Sequence, residues 1–188
     1  MKFKLFLSTG LLFMASSAFS YIAYANDFGL EVGIRQQSAS SPTSGVNVKS
    51  KMGYQFGGVA HFEIQGPVYF RTGLLYTQRP ITFEIPATNV TQQYSLNSVD
   101  VPLTALYKFQ DYAGAFAGLV LSMNLDSTCS PGCSVTNVKS PVTPFIFGAN
   151  FKFAPELAAT LYFETGGKLA DGIEDNRAVG ANLMVTFD

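Results

Sequence analysis

Apolar and polar residues alternate with a period of two along most of this 188-residue chain. In "FGLEVGIRQ", Phe28, Leu30, Val32 and Ile34 share one face, and Gly29, Glu31, Gly33 and Arg35 share the other. Such alternation predicts a β-strand with one apolar face. Seven further segments repeat it: "YQFGGVAHFEI", "VYFRTGLLYTQ", "SVDVPLTALYKF", "YAGAFAGLVLSMNL", "PFIFGANFKF", "LAATLYFET" and "AVGANLMVTF". Short connections lie at Gln65-Gly66-Pro67, Phe109-Gln110-Asp111 and Ala154-Pro155-Glu156. Long ones, rich in Ser, Thr, Asn, Gly and Pro, run over 38–51, 78–97, 126–143 and 166–177. Three-residue turns at the short connections predict His61 opposite Arg71, Lys108 opposite Tyr112 and Phe153 opposite Leu157. Each pairing keeps apolar and polar faces apart across its hairpin.

Short turns at one end and long loops at the other are the plan of an all-β, eight-stranded antiparallel up-and-down transmembrane β-barrel. A strand of about 11 residues tilted by about 45° spans roughly 25 Å, the height of the apolar band of such barrels. Closure removes the sheet edges, whose backbone groups hydrocarbon cannot satisfy. Pro102 has no N–H to give a ladder, so a bulge or a locally open ladder is expected beside it.

Charge decides which face is inside. The apolar face of the eight segments carries no Asp, Glu, Lys or Arg. The other face carries Glu31, Glu63, Asp100 and Glu164 against Arg35, Arg71, Lys108 and Lys152, together with His61 and many glycines. The whole chain is 47% hydrophobic but only 13% charged, about half the usual charged share. A soluble surface needs more charge and less Gly. A narrow eight-stranded lumen is filled by side chains, so Gly makes room for large neighbours and balanced charges pair. These residues are therefore expected to form a lumen polar network, with the apolar face turned to lipid. With 12 basic and 13 acidic residues the chain offers no basic excess for nucleic acid.

The chain begins with Lys2 and Lys4, an apolar run from Leu5 to Met14, and Ala23-Tyr24-Ala25. This reads as a secretory signal peptide over 1–25, with a barrel domain over 26–188. No lipoprotein Cys lies near the cleavage point, and no periplasmic peptidoglycan-binding domain is expected after the eighth strand.

"YFRTGLLYTQ", "SVDVPLTALYKF" and "YAGAFAGLVLS", in that order, resemble successive strands of small bacterial outer-membrane β-barrels. The resemblance is to the PorT-like families and to barrels of the OmpX and OmpA kind, and it covers nearly the whole mature chain. It implies location in the outer membrane of a Gram-negative bacterium, contact with outer-membrane lipid and lipopolysaccharide, and a monomer. Gly180, Leu183, Val185 and Phe187 resemble the C-terminal signal read by the barrel-assembly machinery. Leu and Val stand where aromatics are usual, and Asp188 follows Phe187.

His61 is the only histidine. No serine elbow, zinc motif or P-loop accompanies it, so a structural role is expected and no enzyme activity, metal or cofactor. Cys129 and Cys133 in "STCSPGCSV" are expected to form a disulfide across the third long loop. Asp171, Glu174 and Asp175 read as a solvated acidic loop. The expected function is a barrel with a plugged lumen, acting in adhesion, surface interaction or envelope integrity through its extracellular loops. The alternative is a soluble periplasmic lipocalin-like barrel binding an apolar ligand. It requires Phe145, Phe147 and Phe151 to line a cavity.

Overall fold

The computed structural model describes residues 27–41, 46–86, 90–130, 137–170 and 173–187. The expected signal peptide lies outside them. Eight strands follow in order: β1 (Asp27–Ser40), β2 (Asn47–Gln65), β3 (Val68–Ile85), β4 (Val90–Gln110), β5 (Ala113–Ser130), β6 (Phe145–Ala154), β7 (Leu157–Thr165) and β8 (Glu174–Phe187). Each pairs antiparallel with its neighbours in sequence, and β8 pairs with β1 to close the barrel. Closure gives every strand a partner on both sides, the condition for strands to cross hydrocarbon.

The two faces of β1 separate as the alternation requires. Leu30, Val32 and Ile34 are exposed on the outer wall, while Glu31 and Arg35 are buried in the lumen. The outer wall continues through Phe56, Leu74, Leu103, Leu119, Phe147, Leu161 and Leu183. Phe145, Phe147 and Phe151, which a soluble calyx would turn inward, are 43%, 45% and 42% exposed on this wall. The sheet is therefore apolar outside and polar within, the arrangement for a bilayer rather than for water.

Six strands are longer than expected, and two of the four long loops, 38–51 and 78–97, largely dissolve into them. β3 runs on to Ile85 and β4 begins at Val90, so most of 78–97 is hairpin. β2 starts at Asn47, β5 ends at Ser130 and β8 starts at Glu174. The reason is a change of phase. On β3 the inward positions Arg71, Thr77 and Arg79 are polar, but the next inward positions, Ile81 and Phe83, are apolar and buried. On β4, Ser98 and Asp100 give way in the same manner to Leu96. Above the bilayer the inside of the ring is the only dry side, so apolar residues turn inward as in an ordinary soluble sheet. An outward ion pair marks this zone: Lys49 Nζ lies 2.7 Å from Glu84 Oε1.

The turns differ from expectation in one shared respect. Each has two residues, Gly66-Pro67, Asp111-Tyr112 and Pro155-Glu156, preceded by a register shift at Ile64, Phe109 or Phe153. All three shifted residues are exposed apolar side chains. His61 pairs with Arg71 as expected, but Lys108 faces Gly114 rather than Tyr112, and Leu157 faces Ala154 rather than Phe153. The bulges absorb the difference without exchanging faces. Gly66 supplies the left-handed conformation its turn requires, with φ at 55°.

Pro102 stands beside an open stretch of ladder. β3 and β4 pair at Arg71–Thr104 and again at Leu75–Asp100, with the same register and no pairs between. Val120, opposite Pro102, sends its N–H away from β4 to the Pro144 carbonyl at 2.9 Å. In an antiparallel ladder Pro102 therefore addresses β3, where it has no N–H to offer.

Candidate functional site

The lumen is built in layers from inward positions on all eight strands. At the periplasmic mouth, the Lys108 ammonium holds the Asp27 carboxylate at 2.9 Å and lies 3.9 Å from the Tyr69 ring centroid. His61 is buried beside this pair. An apolar layer of Val59, Leu75, Ala158 and Met184 lies nearby. Arg71 donates to Glu31 at 2.8 Å, and the Asn182 amide also donates to Glu31. The Arg71 guanidinium lies 4.9 Å from the Phe116 ring centroid. A second apolar layer joins Leu106, Phe116, Val120, Ile146 and Tyr162, and the Tyr162 hydroxyl donates to Gln55 at 2.7 Å.

The upper polar layer centres on Arg79. Its two terminal nitrogens donate to Glu164 and to Asp100, each at 2.6 Å, and its Nε donates to Ser98 at 3.3 Å. Arg35 donates to the same Glu164 oxygen at 3.0 Å and to Gln37 at 2.9 Å. Ser122 and Ser98 hydroxyls donate to the other Asp100 oxygen at 2.6 and 2.9 Å. Two guanidinium groups thus meet two carboxylates, all buried, with hydroxyl donors on the second Asp100 oxygen and the Asn176 amide added at Glu164 Oε1. Buried ions need this degree of pairing.

An apolar cap closes the outer end. Ile81, Phe83 and Leu96 from the tall strands pack against Val142, Leu169, Ala170 and Ile173 from the connections on either side of β6 and β7. A backbone bond from Lys139 N–H to the Leu169 carbonyl, 2.8 Å, ties those two connections together.

Among the expected network residues, Glu31, Arg35, Arg71, Asp100 and Glu164 meet in the two buried polar layers, and His61 and Lys108 sit at the mouth. Lys152 is half-buried at the rim of the mouth. Glu63 differs: it stands exposed near the end of β2, beside the turn. Arg79, the hub of the upper layer, is absent from the expected set because it falls in the stretch read as a loop. Leu183, Val185 and Phe187 face outward, and Gly180 faces the lumen against the Tyr162 ring. Cys129 lies near the outer end of β5, and no free cysteine occurs among the described residues. Cys133 and Asp171 lie outside the described residues. Glu174 pairs with Lys168 at 3.2 Å, and Asp175 accepts from Ser40 at 3.1 Å.

Residues 24–166 match a family model described as an outer membrane protein beta-barrel domain. The chain belongs to this family. Its outer-membrane barrel fold is also that of solved structures. Neisserial surface protein A (NspA) matches 85% of this chain and 97% of its own, at 18% identity and a TM-score of 0.57. OprG from Pseudomonas aeruginosa matches 87% and 94%, at 10% identity and 0.55. Ail, the attachment invasion locus protein of Yersinia pestis, solved with the heparin analogue sucrose octasulfate, matches 86% and 98%, at 14% identity and 0.50. No curated protein matches the chain. The outward apolar belt is accordingly the surface by which this outer-membrane barrel protein sits in its membrane. The soluble, ligand-carrying alternative is not favoured.

Proposed function

We propose that this outer-membrane barrel is a closed anchor that presents the tall wall of β2–β5 and its loops as an interaction surface at the cell exterior. The observation that carries the reading is the double seal of the lumen, by the Arg79–Glu164–Asp100 layer and by the apolar cap above it. A sealed lumen leaves the exposed ends as the part available to partners. The name of Ail, a protein of attachment and invasion, and the heparin analogue in its structure support a surface role at the level of shared fold. The barrel is a monomer bounded by outer-membrane lipid and lipopolysaccharide. The barrel-assembly machinery inserts it, reading Gly180, Leu183, Val185 and Phe187. Cleavage follows Ala25, and a Cys129–Cys133 disulfide closes the loop tip. The role is adhesion or envelope integrity, without catalysis.

The test compares cells carrying the full chain, no chain, or a chain whose β3–β4 hairpin is shortened above Arg79. Attachment to host-cell monolayers and resistance to detergent are measured, with outer-membrane recovery checked by fractionation. Loss of either property in both altered strains supports the reading. Unchanged attachment and resistance in both would sink it.

A further inference from the structure

The periplasmic mouth holds a cavity of about 60 Å³, lined by inward residues of several strands. Three basic side chains from alternate strands converge on it: His61 of β2, Lys108 of β4 and Lys152 of β6. Thr186 of β8 and Asn150 of β6 add polar groups to the lining.

Two of these bases make no side-chain hydrogen bond among the described residues. The His61 side chain is 5% exposed, and neither ring nitrogen has a hydrogen-bond partner. Its Nδ1 lies 3.8 Å from an Asp27 oxygen, beyond hydrogen-bond reach, and that oxygen is taken by Lys108 at 2.9 Å. Lys152 makes no side-chain hydrogen bond or ion pair among the described residues. A buried polar group without a partner costs about 1–3 kcal/mol, and native structures fill such sites with water or a ligand. Here His61 is that buried group, and the half-buried Lys152 ammonium lines the same cavity.

The charges nearby choose the sign of the occupant. Arg71, opposite His61, is committed to Glu31, and Asp27 is committed to Lys108, which leaves Lys152 as the cation of the lining without an acidic partner. The other carboxylate of the lining, Asp111, is exposed on the turn. A metal cation would have to displace the Lys108 ammonium from Asp27. An anion would complete Lys152 and His61 without breaking a bond. A cavity of this volume accepts several waters or one small oxyanion. It opens inside the ring, whereas lipid lies against the opposite face of the sheet, so the occupant is a free solute rather than a headgroup.

We propose that the periplasmic mouth is a binding site for a small free oxyanion of the phosphate type, held by the Lys152 ammonium and the His61 ring N–H, with Lys108 at its edge.

The sole histidine makes the test residue-specific. The barrel, refolded in an uncharged, phosphate-free sugar detergent with ¹⁵N-histidine, is titrated with inorganic phosphate and, at matched ionic strength, with chloride. The expected result is a saturable shift of the His61 ring signals with phosphate alone, weakened about tenfold or more in Lys152→Gln, a loss of over about 1.4 kcal/mol of binding. Phosphate binding read by ³¹P line-broadening should weaken likewise in His61→Gln. Gel mobility without boiling verifies that each variant is folded. The proposal is overturned by a drift equal for both salts, by an unchanged curve in Lys152→Gln, by a response only to added phosphatidylglycerol, or by a response to zinc in place of phosphate.

Discussion

Arg79 and Glu164 meet at 2.6 Å in the centre of the lumen, from strands on opposite sides of the ring. Glu164 also holds Arg35, whereas Arg79 supplies the salt bridge of Asp100. Removing the guanidinium therefore leaves Asp100 buried with only hydroxyl donors. Breaking a buried pair from one side costs about 3–5 kcal/mol, while replacing both partners by apolar groups is often neutral. Arg79→Met should lower unfolding stability by about that amount, measured by denaturant titration in lipid vesicles. Arg79→Met with Asp100→Leu should recover most of the loss. Equal losses in the single and double variants would show that the pair is not the source.

The same residue marks where the sequence stops being legible. Glu31, Arg35 and Glu164 sit in unbroken alternation with outward apolar residues, so their inward positions can be read from one strand at a time. Arg79 sits at the change of phase, next to Pro80, where polar-in becomes apolar-in. A reader following one phase loses the strand there and records a loop. Ile81, Phe83 and Leu96 go with it, and so does the cap. Which base meets which acid was not legible at all, since Arg35 and Glu164 lie 129 residues apart. Their meeting depends on ring closure and register, which no local pattern contains. The lack of a hydrogen bond at the His61 ring is likewise a property of the closed ring.

The outer face should be intolerant of charge at mid-height and tolerant above the belt. Val32 is 60% exposed and pairs with Phe56 on one side and Leu183 on the other, both outward apolar residues. Val32→Arg places a cation in hydrocarbon near the middle of the belt, at a cost of about 2–4 kcal/mol. Thr82, paired with Lys49 and Gln93 above the belt, should accept Arg within about 0.5 kcal/mol. Unfolding in vesicles of both variants measures the contrast. A tolerated Arg at position 32 would contradict the lipid-facing assignment of β1.

Gly180 should matter for packing independently of assembly. A Cβ there would collide with the Tyr162 ring, whose hydroxyl donates to Gln55. Gly180→Val must push the ring aside, an overpacking cost of about 1–3 kcal/mol. Refolding the purified chain into vesicles bypasses the assembly machinery, so a loss seen there belongs to the lumen. Tyr162→Leu should restore much of it by vacating the space above position 180. Full stability of Gly180→Val in vesicles would leave assembly as the sole reason for glycine.

Conduction tests the double seal. Beyond the mouth, two cavities among the described residues hold about 20 and 10 Å³. The narrower of these reaches from Arg79 to Leu169, spanning the charged layer and the cap. Neither admits a hydrated ion, so the purified barrel should give no conductance steps in a planar bilayer. Leu169→Gly with Ile173→Gly thins the cap but leaves Arg79 bound to Glu164 and Asp100. That variant should also stay silent, because two guanidinium–carboxylate contacts still cross the lumen beneath it. Steps from the wild-type chain would show that the seal opens. Steps from the cap variant alone would assign the seal to the loops and not to Arg79.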